Sequence, residues 1–572
     1  MKRLFRYLKN YKKELILGPL FKLLEAVFEL IVPVVMARII DVGIAERDSA
    51  YVVKMSGLIV LLGVCGLGFA ITCQFFAARC AYGFGTELRA DLYRHIDSLS
   101  YSSIDKVGTA SLVNRLTNDT NTVQSGVNMF IRLGTRSPFL IIGAMVMAVT
   151  INLRLALIFF IVAPLISLII FIIMRRTIPM YKDTQKKLDR AAMLTQESLE
   201  GTRVIRAFSR QEDQVRAFGE NADDIAASSA AVGRISAILN PAAFMIMNLG
   251  IVVILWNGGL KIDAGDLTQG ELTAFTNYMT QILLALVVFA NLIVTFTKAL
   301  ASANRISDIF ALTPEENGEA SASDADNALE FRNVSFIYDN AAEEAVRNIS
   351  FRLKKGGAMS IIGGTGSGKS TLANLIPCFY RATEGEVLVN GLDVKEWKLS
   401  SLRSRIGIVP QKAVLFSGTI RDNMKWRKPD ATDEEIVQAL KTAQAWEFVS
   451  QKPDGLDTAV YQGGKNFSGG QKQRLAIARA LVGKPELLIL DDSASALDYA
   501  TDLALRRALK EDMSDTTVVM ITQRATSAMD ADLMIVMDDG ECAGSGTHAE
   551  LLENCAVYRE IYDSQMNERE GA

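Results

Sequence analysis

The 572-residue chain is poor in several residue types that usually announce chemistry. It has 2 histidines, His95 and His548, and 6 cysteines, Cys65, Cys73, Cys80, Cys378, Cys542 and Cys555. The cysteines show neither a CxxC pair nor zinc-ligand spacing, and three fall in one apolar segment. They read as packing residues rather than as a metal or redox centre. An excess of either charge is also missing: 61 basic against 64 acidic side chains leave a formal net charge of −3. No whole-chain electrostatic argument therefore points to nucleic acid as a partner. The basic N-terminus, with Lys2, Arg3, Arg6, Lys9, Lys12 and Lys13, is followed by an apolar run but by no small-residue cleavage site. The expectation is a retained cytoplasmic end rather than a signal peptide.

What the chain has in quantity is apolar surface, 49% of its residues being hydrophobic. That exceeds what one soluble enzyme needs and places part of the chain in lipid. Six stretches, at about 15–40, 56–80, 137–153, 155–175, 237–260 and 272–298, are long enough or nearly so to cross a ~30 Å hydrocarbon core as helices. A soluble core seldom uses so many runs of this kind within 300 residues. The expected fold is thus a six-helix transmembrane domain over 1–312, with long cytoplasmic helical extensions. Basic residues number six at the N-terminus, seven over 79–136 and eleven over 175–234, against four in the three opposite loops. The positive-inside rule then puts both termini in the cytoplasm. The two long cytoplasmic connections offer tips near 108–116 and 200–208 for touching a cytoplasmic domain.

Within the first stretch, Lys22, Glu25 and Glu29 recur at i, i+3 and i+7 and share one helical face. Two readings stand: a cavity wall that attracts cationic or polar cargo, or an intrahelical Lys22–Glu25 pair with Glu29 near the interface. Asn248, Gln281 and Asn291 in later stretches are weaker cavity candidates, since polar residues there often serve only as glue between helices. Residues 313–328 follow, with Pro314, five acidic and no basic residues, and read as a solvated linker.

From 329 to 572 apolar runs alternate with helical patterns, as in an α/β domain built on a mostly parallel sheet. Its organising stretch is Gly363-Gly364-Thr365-Gly366-Ser367-Gly368-Lys369-Ser370-Thr371, which fits G-x-x-x-x-G-K-[ST] directly after an apolar run, Ala358 to Ile362. Such a P-loop curls its N–H groups toward phosphate oxygens, its lysine reaches the β/γ-phosphates and its hydroxyl, here Ser370, holds Mg²⁺. Leu487 to Leu490 is a buried-strand run ending in Asp491, the carboxylate needed on the far side of the metal.

Phe467-Ser468-Gly469-Gly470-Gln471, shortly before that strand, resembles the LSGGQ signature of ATP-binding cassette (ABC) transporters. With six spans, a linker and then the P-loop domain, the whole chain resembles an ABC exporter half-transporter. The resemblance implies that Tyr338 stacks on adenine, that Gly363 to Thr371 form the Walker A loop and that Gln411 is the Q-loop glutamine, with a place at the metal and the reacting phosphate. It further implies that Asp491 is the Walker B aspartate and Asp498 the D-loop aspartate. Two such domains would clamp two ATP molecules, each between one chain's Walker A and the other chain's signature.

Two positions depart from the family pattern. Asp492 stands where a catalytic glutamate is usual, and Gln523 where a switch histidine is usual. Aspartate is one methylene shorter, withdrawing its carboxylate by about 1.5 Å from a water it must approach to ~3 Å. An amide hydrogen-bonds but exchanges no proton as imidazole does. The chain therefore resembles the degenerate-site subunit of heterodimeric bacterial multidrug exporters, as does the stretch Gln462 to Phe467 before the signature. The expectations are an ATP-driven translocase of the cell membrane, weak hydrolysis at its own Walker site, and ATP and Mg²⁺ as cofactors. Its partner would be a non-identical half-transporter with an intact glutamate and histidine, and its cargo hydrophobic or amphipathic. The alternatives are a lipid or peptide exporter, or a homodimeric ATP-binding gating protein with little turnover.

Overall fold

The computed structural model describes residues 4–570 apart from residues 340 and 494, with side chains as far as residue 566. Lys2 and Arg3 of the basic N-terminus lie outside the described residues. The chain forms two compact units: Met1–Asp97 with Thr109–Leu312, and Ser98–Gly108 with Thr313–Ala572.

The first unit is helical. Five continuous helical stretches, Ser49–Asp97, Thr109–Ile151, Leu153–Glu200, Gln211–Asp263 and Gln269–Ala311, are long and apolar enough to cross a membrane. The second, third and fourth runs read from the sequence are thereby parts of helices that continue well past the apolar stretch. The first run is also helical, Lys12–Arg38, but its charged residues keep it out of that group of five.

Local chemistry sets the helix ends. Asn152 accepts from the N–H of Leu155 at 3.3 Å to start Leu153–Glu200. Thr268 and Glu271 form a reciprocal capping box at the start of Gln269–Ala311. The carboxylate of Asp41 then accepts from the Gly270 N–H at 2.7 Å and the Thr268 hydroxyl at 2.6 Å. An anion at a helix N-terminus is stabilised by the unpaired N–H groups there.

Pro33 lies within the first helix and can donate no hydrogen bond to the Glu29 carbonyl four residues before it. The last helix supplies that donor: Gln281 Nε2 lies 3.3 Å from the Glu29 carbonyl oxygen, and the Tyr278 hydroxyl donates to the Leu30 carbonyl at 2.7 Å. Freed backbone carbonyls in an apolar interior need such partners. The surrounding core includes Phe159 and Phe275, ring centroids 5.7 Å apart.

The second unit is α/β. Its central sheet has six strands in the order Glu541–Gly546, Leu533–Asp538, Ala358–Gly363, Thr517–Thr522, Leu487–Asp491, Ile406–Val409. All neighbours are parallel except the first pair. Their inner residues, such as Ile361, Ile489 and Val519, are fully buried, as a sheet covered on both faces requires. A four-stranded antiparallel sheet, ordered Val346–Lys354, Asn327–Phe336, Glu384–Val389, Leu392–Asp393, closes over the same core. A separate hydrophobic cluster holds the helices Ile420–Met424, Asp433–Thr442 and Gly469–Leu481.

The acidic segment after Leu312 is not simply solvated. Glu315 pairs with Arg403 at 2.5 Å and Glu316 with Arg381 at 2.5 Å, and Asp324 pairs with Lys355. Unbroken negative charge in the sequence is matched by a basic face of the α/β unit. The short helix Tyr101–Val107 belongs to the same unit: Tyr101 packs on Phe379 at 4.5 Å and Asp105 accepts from the Tyr380 hydroxyl at 2.5 Å. Of the 108–116 stretch, Gly108 groups here and Thr109 onward with the helical unit. The 200–208 stretch is a helix break at Gly201 followed by the short helix Thr202–Ala207.

Candidate functional site: a phosphate-binding loop at the carboxyl end of the central sheet

The strand Ala358–Gly363 sits inside the parallel sheet, so the loop that follows opens at the carboxyl ends of the strands, where open α/β sheets bind ligands. The loop demands glycine. Gly366 and Gly368 have φ of +86° and +91°, and a Cβ on Gly368 would stand 2.3 Å from the Ala345 carbonyl oxygen. Gly368 caps the helix Lys369–Leu375. Ser367 braces the turn by donating to the Gly364 carbonyl at 3.0 Å.

Around this loop lies a cavity of about 350 Å³. It gathers Tyr338, Thr365, Gly366, Gly368, Lys369, Ser370, Thr371, Gln411, Asp491, Asp492 and Gln523 from five separate segments. Gly363, Gly364 and Ser367 shape the loop from behind. Lys369 is buried and its ammonium donates to the Gly364 carbonyl and, at 3.2 Å, to Ser367 Oγ. Burial lowers its pKa, while Asp492 and Asp491 act in the opposite sense. Ser370 Oγ lies 3.0 Å from Asp491 Oδ1. Burial pushes the Asp491 carboxyl above the usual carboxylate range, the Ser370 hydrogen bond opposing and the neighbouring Asp492 adding to it. A buried lysine beside two carboxylates suits a ligand carrying both negative oxygens and a divalent cation.

Asp492 directly follows the strand with φ +44°, its N–H bonded to the Ile521 carbonyl at 2.9 Å. Its Oδ2 accepts from Gln411 Nε2 at 3.3 Å. Gln523 is exposed on the cavity rim after the strand Thr517–Thr522. The Tyr338 hydroxyl is 3.0 Å from Thr371 Oγ1, and its ring meets the rings of Phe336 and Tyr380 edge-on at 4.8 and 5.3 Å. Sequence reasoning had no signal for Tyr380, 42 residues from Tyr338, because only the fold brings the two together.

Ser468, Gly469, Gly470, Gln471 and Asp498 do not line this cavity. Ser468 caps the helix Gly469–Leu481, its hydroxyl accepting from the Gln471 N–H at 3.3 Å while Gln471 Oε1 accepts from the Ser468 N–H at 3.0 Å. Asp498 caps the helix Tyr499–Asp512 through Thr501.

In the helical unit, Glu25 holds Lys22 at 2.6 Å, the intrahelical alternative. Glu29 does not stand alone near an interface: it pairs with Arg136 of another helix at 2.7 Å. Gln281 donates to the Glu29 carbonyl that Pro33 leaves without its helical donor, and Asn248 and Asn291 are exposed. None of Glu25, Glu29, Asn248, Gln281 and Asn291 lines either of the two apolar cavities of this unit, one bounded by Leu8 and Leu300 and one by Val27 and Met147.

A P-loop ATP site joined in one chain to a helical membrane unit defines an ATP-driven membrane transporter subunit. Residues 15–286 match the family described as the ABC transporter transmembrane region, and residues 346–495 match the family described as ABC transporter. The chain belongs to the ABC transporter family, with membrane and ATP-binding parts fused as in a half-transporter. It is 36% identical over 100% of both chains to the uncharacterized ABC transporter ATP-binding protein YfiB of Bacillus subtilis (strain 168). It is 30% identical to the ATP-dependent lipid A-core flippase of Haemophilus influenzae (strain 86-028NP), covering 99% of this chain and 97% of that one. Its fold matches the structure of a bacterial Atm1-family ABC exporter with ATP bound, with a TM-score of 0.80, 24% identity and 98% of each chain covered.

Proposed function

We propose that the chain is one half of an asymmetric exporter that moves hydrophobic or amphipathic, multidrug-type cargo outward across the cell membrane. In this reading Lys12–Arg38 is the first of six spans, the domains are 1–312, 313–328 and 329–572, and the basic loops keep both termini and the α/β unit cytoplasmic. ATP places its adenine on Tyr338 and its phosphates on Gly363 to Thr371. Ser370 and Asp491, both oxygen donors, with Gln411 nearby, would hold Mg²⁺, which when bound neutralises charge on the phosphate oxygens. Ser468 to Gln471 and Asp498 act on the ATP of the partner chain, and ATP favours one of two arrangements of the dimer.

The observation that carries the reading is one cavity that gathers Lys369, Ser370 and Asp491 with Asp492 and Gln523, the last two being read as the base and switch positions. Such a site binds nucleotide and turns it over slowly. A well-capped signature helix on the same chain then makes sense only against a second, competent Walker site. A lipid cargo is the second reading, favoured by the 30% identity to a lipid A-core flippase over nearly the full chain. The experiment is steady-state ATPase activity of the purified chain in lipid, alone and co-expressed with the half-transporter encoded beside it. Negligible activity alone, appearing with the partner and lost when the partner's catalytic glutamate is replaced, is the expected result. Robust activity of this chain alone would overturn the asymmetric reading.

A further inference from the structure

We propose that an apolar groove under the N-terminal segment binds one acyl chain of an anionic lipid, with Lys9 and Lys12 at its mouth holding the headgroup. The groove encloses about 500 Å³, within the range of small-molecule sites. Its walls come from four parts of the helical unit: Leu8 from the N-terminal turns, Phe84 from Ser49–Asp97, Val127 and Phe130 from the segment before the third apolar run, and Phe296 and Leu300 from Gln269–Ala311. Lys9 and Lys12 are the only charged residues on it among those described, and both are exposed.

The argument for an anionic occupant is charge complementarity. Near the N-terminal segment Glu14 pairs with Arg79 at 3.4 Å, and Glu87 accepts from the neutral Tyr11 and Asn10, each at 3.0 Å, rather than from either lysine. Asp91 holds Arg94 at 2.7 Å. Among the described residues neither Lys9 nor Lys12 makes an ion pair. Two uncompensated ammonium groups over an apolar hollow match a molecule with a negative head and a hydrocarbon tail. Long lysine stems can lie along the apolar wall while their charges stay in water. The lysines also stand just before the apolar run beginning at Leu15, where a headgroup layer would meet the first helix. The proposal is independent of the nucleotide site.

The test is native mass spectrometry of the full-length protein in detergent, titrated with phosphatidylglycerol and with phosphatidylcholine of the same acyl chains. Tighter binding of phosphatidylglycerol is expected, falling about fivefold for each lysine removed in Lys9→Ala and Lys12→Ala. The Lys9→Arg/Lys12→Arg variant should keep the preference, and Leu300→Trp, which fills the groove, should remove one bound phosphatidylglycerol. Equal binding of the two lipids, or a preference that survives both the alanine and the tryptophan variants, would overturn the proposal. So would lipid held by the monomer and absent from the dimer, which would make the groove an interface between chains.

Discussion

If Asp492 stands in the place of a catalytic glutamate, as proposed, it is one methylene short, and its surroundings give it little room to make up the difference. Its N–H is tied to the strand that holds Ile521, and its carboxylate is in reach of Gln411. A general base contributes about 10²–10⁴-fold when placed within hydrogen-bond reach of its proton. The paired variant Asp492→Glu, Gln523→His should therefore raise ATP turnover at this site by at least about tenfold without tightening ATP binding. Single-turnover hydrolysis beside an equilibrium nucleotide titration checks both halves; unchanged turnover would leave the two departures as tolerated drift. That Lys369, Ser370 and Asp491 meet in one cavity was legible in the sequence, because loop, lysine and hydroxyl are consecutive and the buried strand ending in Asp491 follows the P-loop in the same domain. The tyrosine relay behind Tyr338 was not, since an edge-on contact across 42 residues leaves no pattern in either segment.

At the scale of elements, the antiparallel sheet shows how register turns single charges into a ladder. Glu330 lies directly opposite Arg352 on one neighbouring strand, and Arg332 opposite Glu386 on the other. Glu330 accepts from Arg332 and from Arg352, each at 2.9 Å. The Arg332 guanidinium, more than burial, decides that the Glu330 carboxyl sits below the usual glutamate range, with Arg352 adding to the effect. Its folded pKa is thus below the unfolded one, so this stabilisation is present above the ordinary glutamate pKa and is lost as pH falls through the folded value. Glu330→Gln should cost up to about 1 kcal/mol at neutral pH, and the deficit relative to the parent should shrink below pH ~4. Thermal melts at a series of pH values measure this; a deficit independent of pH would assign the effect to packing. The first helix gives the complementary lesson. Its length was readable, but the service that Gln281 and Tyr278 render to the carbonyls around Pro33 was not, because a polar residue in an apolar run looks the same whether it faces cargo or backbone.

Over the whole molecule, the segment between the first two long membrane helices is the connection that folds with the ATP-binding unit. Tyr380 packs against Tyr338 on one side and donates its hydroxyl to Asp105 of that segment on the other. If the chain works as proposed, Tyr380→Phe keeps the ring against Tyr338 while releasing Asp105. KM for ATP should then change by less than about twofold, whereas cargo-stimulated turnover should fall about tenfold or more, the loss of one charge-assisted hydrogen bond being worth about 1.5–3 kcal/mol. A change in KM with turnover intact would place Tyr380 in nucleotide binding instead.

The sequence by itself determined the family and the order of membrane and ATP-binding parts, and it marked the loop proposed to hold phosphate, because each is written in contiguous runs whose chemistry needs no distant partner. The helical extensions beyond the apolar runs were also implied by their polar, helical pattern. Tertiary structure alone decided which charges in the first helix are paired, Lys22 with Glu25 and Glu29 with Arg136, and that the acidic segment after Leu312 is strapped to basic residues. It alone placed two unpaired lysines over an apolar groove. The physical reason is the same in each case: the state of a charge or an amide depends on what packing brings within about 3 Å of it, and those neighbours are set by the fold rather than by adjacency along the chain.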